Sequence, residues 1–118
     1  MKLLREAQRA QLLDNGRRQA AVKGTPDEID LLPVVKLFDP CGAGTWLLTE
    51  IEPDDPDIAF GLCDLGMGFP ELGSVSLQEL ASVRGRLGLG IERDLHFEAD
   101  KPISAYCNEA ARLGRINA

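Results

Sequence analysis

The sequence is short of most residues that do chemistry. It has one histidine, His96, and three cysteines, Cys41, Cys63 and Cys107, with no C-x-x-C pair among them. An odd, widely spaced set excludes a zinc ribbon and argues against a disulfide framework. No apolar stretch approaches the roughly 20 residues that cross a bilayer, so no membrane association is expected. Arg5, Glu6, Gln8 and Arg9 interrupt any signal-peptide core, and a cytoplasmic location is expected. No Gly-x-Gly is followed by the further glycine and helix of a dinucleotide fingerprint. No cofactor, resident metal or catalytic residue is therefore assigned.

What is present is a globular composition. The 118 residues are 44% hydrophobic and 27% charged, which fits one domain, residues 1–118, with a core of its own. The net charge of −6 conceals a split. Residues 1–24 carry six basic side chains against two acidic ones, and the other 17 acidic side chains face only seven basic ones downstream. An acidic body repels a phosphate backbone, so nucleic-acid binding by that part is disfavoured. It suits a protein partner with a basic surface.

The hydrophobic pattern divides the chain. Leu3, Leu4, Ala7, Ala10 and Leu13 recur at helical spacing and predict a helix over 3–14, which Asp14-Asn15-Gly16 stops or kinks. Short β-prone runs follow at 34–38, 45–50 and 58–63, joined by turns too short for parallel crossovers. Ser74-Val75 predicts a brief fourth strand. Ser76-Leu77-Gln78-Glu79 is a capping box that opens a helix at 77–84. Alternation over 91–97 predicts a last strand, and Pro102 with the alanines after it predicts a helix over 102–114. The expected fold is α+β: an antiparallel meander of four to five strands with N-terminal, short middle and C-terminal helices.

Pro33 to Phe38, Thr45 to Glu50, Phe60 to Gly66, Glu71-Leu72-Gly73, Ser76 to Leu80 and Ile91 to Phe97 occur in an order and spacing that carry a resemblance. Over residues 30–106 the chain resembles the bacterial domain-of-unknown-function family 2958. The resemblance implies an accessory protein of plasmids, phages and other mobile elements. It carries no catalytic residues with it.

Three sets of residues are the candidates for function. On a strand, Glu92, Asp94, His96 and Glu98 would share one face, where a histidine among carboxylates could hold a divalent metal or form an acid–base pair. The competing reading is a solvated face. Arg93 would fall on the opposite, apolar face and there needs a structural ion pair, with Glu50 or Asp64. The acidic turn of Glu52, Asp54, Asp55 and Asp57 lacks the spacing of a calcium loop, and could instead face a partner. Arg5 and Arg9 lie off the apolar stripe of the first helix, free to meet a partner or the protein's own acidic body. Cys41 lies in a glycine-rich loop with no demonstrated base and is read as an ordinary loop residue. The leading expectation is a non-enzymatic protein that binds a protein partner, such as an inhibitor of a host defence nuclease of the anti-restriction or anti-CRISPR kind. The alternatives are a metal-dependent hydrolase or nuclease on the His96 face, and a nucleic-acid-binding module built on the basic helix. Oligomeric state is not legible.

Overall fold

The structure is a computed structural model and describes residues 2–118. It has three helices, α1 (Glu6–Val22), α2 (Leu77–Ser82) and α3 (Ile103–Leu113). Five strands, β1 (Val35–Phe38), β2 (Thr45–Ile51), β3 (Ile58–Asp64), β4 (Glu71–Ser76) and β5 (Glu92–Arg93), form one antiparallel sheet of order β4-β3-β2-β1-β5. The α+β meander expected from the sequence is present, with β5 added outside β1.

The sheet separates two cores. On one face Val35, Leu37, Trp46, Leu48, Ile51 and Ala59 pack with Leu4 and Leu12 of the N-terminal segment and Leu77 and Leu80 of α2. On the other, Leu47 and Leu62 meet Ile103, Tyr106 and Ala110 of α3, with Ile116 beyond it. Alternation along β2 sends Leu47 one way and Trp46 and Leu48 the other, as a pleated strand requires. A bulge at Thr49 then shifts the register between Leu48 and Glu50. That one extra residue keeps Ile51 on the α1 face, where strict alternation from Leu48 would have turned it away.

The bulge also explains why α1 does not break at Asp14-Asn15-Gly16, as the sequence predicts, but runs through it for 17 residues. Asn15 is buried; its Nδ2 donates to the Thr49 carbonyl at 2.9 Å, while its Oδ1 accepts from Gln11 and Arg18. Gly16 is the point of closest approach: a Cβ there would stand 1.8 Å from the Ile51 carbonyl oxygen. Residues that usually end helices are held inside this one because the sheet supplies their partners. The apolar stripe moves accordingly. Ala7 and Ala10 are exposed, and α1 buries Leu12, Asn15 and Gly16 instead.

The middle helix starts where the capping box predicts. Ser76 Oγ accepts from the Glu79 N–H at 3.2 Å. The second half of the arrangement comes from the acidic turn: Asp57 accepts from the Ser76 hydroxyl at 2.6 Å and from the Gln78 N–H at 2.8 Å. These hydrogen bonds hold the Asp57 carboxyl below its ordinary value, first through Ser76 and then through the Gln78 amide. A carboxylate whose folded pKa is depressed stabilises the fold above its unfolded value and loses that contribution as pH falls through the folded one. Asp57→Asn is therefore expected to lower stability at pH 7, and the gap to the wild type to narrow only below about pH 3.8, as the carboxyl protonates through its lower folded value. Urea unfolding at pH 7 and well below that ordinary value measures it; a gap of equal size at both would show that the charge is not what holds α2.

Candidate functional site

The residues that the sequence places on one strand face do not share one. β5 ends at Arg93. Asp94 turns the chain by accepting from the His96 N–H at 2.9 Å, the short-range bond by which aspartate commonly makes a turn. That bond first, and with it the Lys36 ammonium 3.4 Å away, hold the Asp94 carboxyl below its ordinary value against the opposing effect of burial. Asp94, His96 and Glu98 border a shallow depression with Asp100, Lys101 and Tyr106, while Glu92 stays on β5. Among the described residues no three His, Cys, Asp or Glu side chains are grouped to hold a metal. Leu95, on the apolar side of the expected strand, is 54% exposed for the same reason: the strand has already ended.

Arg93 differs from expectation too. Its guanidinium donates to the carbonyl oxygens of Lys2 at 3.0 Å and Leu3 at 3.3 Å, and meets neither Glu50 nor Asp64. It ties the N-terminal segment to the sheet edge. Glu50 is half-buried, and burial raises its carboxyl above the ordinary value, against the opposing pull of Lys23. Asp64 accepts from the Gly66 and Ile116 amides. The Cys41 thiol donates to the Arg86 carbonyl at 3.1 Å. Burial raises the Cys63 thiol.

The other two candidate sets lie mainly on the surface. Asp54 and Asp55 are exposed on the β2–β3 turn, beside Glu52 and the helix-capping Asp57. Arg5 and Arg9 are exposed beside a groove that also contains Asp57, and Arg9 contributes to lowering the Asp57 carboxyl. Neither arginine makes an ion pair among the described residues. What docks α1 is the Leu12, Asn15 and Gly16 contact.

The sequence reading missed the end of the sheet opposite the acidic turn. The β3–β4 loop is Leu65-Gly66-Met67-Gly68-Phe69-Pro70, and Leu65, Met67 and Phe69 are 60%, 71% and 80% exposed. The loop between α2 and β5 adds Leu87, 94% exposed, with Val83 and Leu89 also exposed. Both loops flank the β1–β2 hairpin: Gly66, at φ +81°, sits where a Cβ would come within 2.4 Å of Ala43, and Gly85 where one would lie 2.9 Å from Cys41. Leu113, exposed at the end of α3, is next to Gly114, which approaches Gly68. Single exposed leucines are ordinary, but several gathered on adjoining loops mark an interaction surface. The available signal was the spacing of Leu65, Met67 and Phe69, large apolar residues alternating with glycines where a hairpin turn is normally polar.

Leu87 also has a left-handed backbone, at φ +64°. That conformation costs a non-glycine residue about 1–2 kcal/mol. Leu87→Gly is expected to raise stability by up to about 1 kcal/mol, after the entropy of the more flexible unfolded chain is subtracted. Denaturant unfolding checks it, and a loss of stability would show that the leucine side chain supports the loop.

No helix of the described residues is long and apolar enough to cross a membrane. No curated protein and no solved structure matches the chain. One family model does, over residues 3–117, so the likeness takes in α1 and α3 as well as the sheet. The chain belongs to the family described as protein of unknown function DUF2958.

Proposed function

We propose that the chain is a non-catalytic protein-binding module that engages its partner through the apolar loop end. The observation that carries this reading is the exposure of Leu65, Met67, Phe69 and Leu87 on loops gathered around the β1–β2 hairpin. Burying four such side chains at an interface would supply roughly 1.5–3 kcal/mol each before the costs of association. The acidic turn, at the other end of the sheet, is assigned to holding α2 through Asp57. A host defence nuclease, the partner expected from the sequence reading, is the class to assay first.

Three variants separate the surfaces. Met67→Asp/Phe69→Asp removes the apolar end, Asp54→Lys/Asp55→Lys reverses the acidic turn, and Arg5→Glu/Arg9→Glu reverses the basic helix. Each changes exposed side chains, and stability is expected to stay within about 0.5 kcal/mol. A partner captured by the wild type and purified is expected to bind the first variant about 30-fold or more weakly, the effect of losing an interface hot spot. The other two are expected to bind nearly as the wild type does. A loss confined to the Arg5/Arg9 variant would move recognition to α1, and one confined to the Asp54/Asp55 variant would move it to the turn.

A further inference from the structure

Beside the apolar loop lies a feature of a different kind. β4 is an outermost strand six residues long, and its sequence, Glu-Leu-Gly-Ser-Val-Ser, contains no proline, lysine or bulge. Natural sheets usually guard such an edge with one of these devices, because its outward N–H and C=O groups form a template for another strand. Apart from the Cys63 thiol, 3.9 Å from the Gly73 carbonyl, no hydrogen bond from outside the β3 ladder reaches residues 71–75 among the described residues. The opposite edge is guarded by brevity: β5 has two residues, and Arg93 ties the N-terminal segment against it.

The two faces flanking β4 differ. On the α1 side, the cross-strand row Trp46–Cys63–Glu71 borders a groove of about 600 Å³ walled by Leu65, Met67 and Phe69. Gly73 leaves it open, since nothing stands within 4 Å of where its Cβ would be. On the opposite face, the row Glu50–Phe60–Ser74 leads to a cavity of about 160 Å³, lined also by the end of α1, where Glu28, Glu50 and Glu52 face the single cation Lys23. Successive side chains of a strand added along β4 would enter these two environments in turn.

Resting on the protein-binding reading, we propose that β4 takes up an extended segment of a partner protein as a sixth strand, its apolar side chains entering the Trp46 groove and its alternate, basic side chains meeting the Glu28 and Glu50 carboxylates. Charge selects this occupant over a second copy. Two chains of net charge −6 would bring the same acidic rows together across a β4–β4 pairing. A basic strand answers them.

Synthetic peptides of alternating valine and lysine, and of alternating valine and glutamate, are the probes. The valine–lysine peptide is expected to bind and to slow amide exchange at residues 71–76, and the valine–glutamate peptide to bind about tenfold or more weakly. N-methylation of alternate peptide amides distinguishes strand pairing from side-chain adhesion. One of the two alternating sets should weaken binding about tenfold, through lost ladder hydrogen bonds, and the other should be tolerated. Equal tolerance of both sets, no binding by either peptide at millimolar concentration, or a β4-mediated dimer by sedimentation overturns the proposal. If partner capture falls in Met67→Asp/Phe69→Asp while β4 shows no protection, strand addition is wrong and the docking reading stands. Protection at β4 with capture insensitive to Phe69 has the opposite meaning for the docking reading.

Discussion

Gly16→Ala is expected to destabilise the protein by about 3 kcal/mol, against the direction that helix propensity alone predicts. In an exposed helix interior, alanine for glycine gains roughly 1 kcal/mol. Here the new methyl carbon would lie 1.8 Å from the Ile51 carbonyl oxygen, 3.0 Å from its carbon and 3.4 Å from Pro53 Cδ. The first two obstacles are backbone atoms, which no rotamer change removes, so the helix must lift from the sheet. Lifting it stretches the Asn15 hydrogen bond to the Thr49 carbonyl and loosens Leu12 from the core. Leaving that carbonyl unpaired adds about 1–3 kcal/mol if no water reaches it. Chemical denaturation measures the change; a stabilised Gly16→Ala protein would contradict the close contact between α1 and β2.

The second large effect belongs to the other face of the sheet. Leu47 is fully buried between β3 and α3, in the cluster that includes Leu62, Ile103, Tyr106 and Ala110. Leu47→Ala removes three carbons from a site enclosed by sheet and helix and is expected to cost about 3–5 kcal/mol, near the top of the range for leucine truncations. Because β2 contributes to both cores, we expect both substitutions to shift one shared transition, as a single folding unit requires. Circular dichroism and tryptophan fluorescence of Trp46, followed through the same urea titration, check that. A Leu47→Ala loss below about 1 kcal/mol would contradict the enclosure of the second core.

The differences between what the sequence predicts and what forms have physical causes. The strands 35–38, 45–51 and 58–64 were legible because their β-prone runs end in strong turn residues, and the start of α2 because Ser76 and Glu79 are locally sufficient. The continuity of α1 was not legible. Asn15 and Gly16 are helix-ending residues by local preference, and the Thr49 bulge that retains them lies more than 30 positions downstream. β4 begins at Glu71, earlier than Ser74-Val75, since pairing with β3 overrides the weak strand preference of Glu71-Leu72-Gly73. The 91–97 alternation satisfied a strand template, yet Asp94 turned the chain after two paired residues. That loss removed the shared Glu92, Asp94, His96 and Glu98 face. The apolar loop end escaped notice because Gly66 and Gly68 read as punctuation, whereas Leu65, Met67 and Phe69 around them carry the exposed surface.

Amide exchange of the protein, free and bound to its purified partner, tests the central claim most directly. Binding through the apolar loop end predicts slowed exchange at residues 65–70 and 83–90, with residues 3–14 and 52–57 unchanged. Slowed exchange at 52–57 or 3–14, with 65–70 and 83–90 as open as in the free protein, would contradict it.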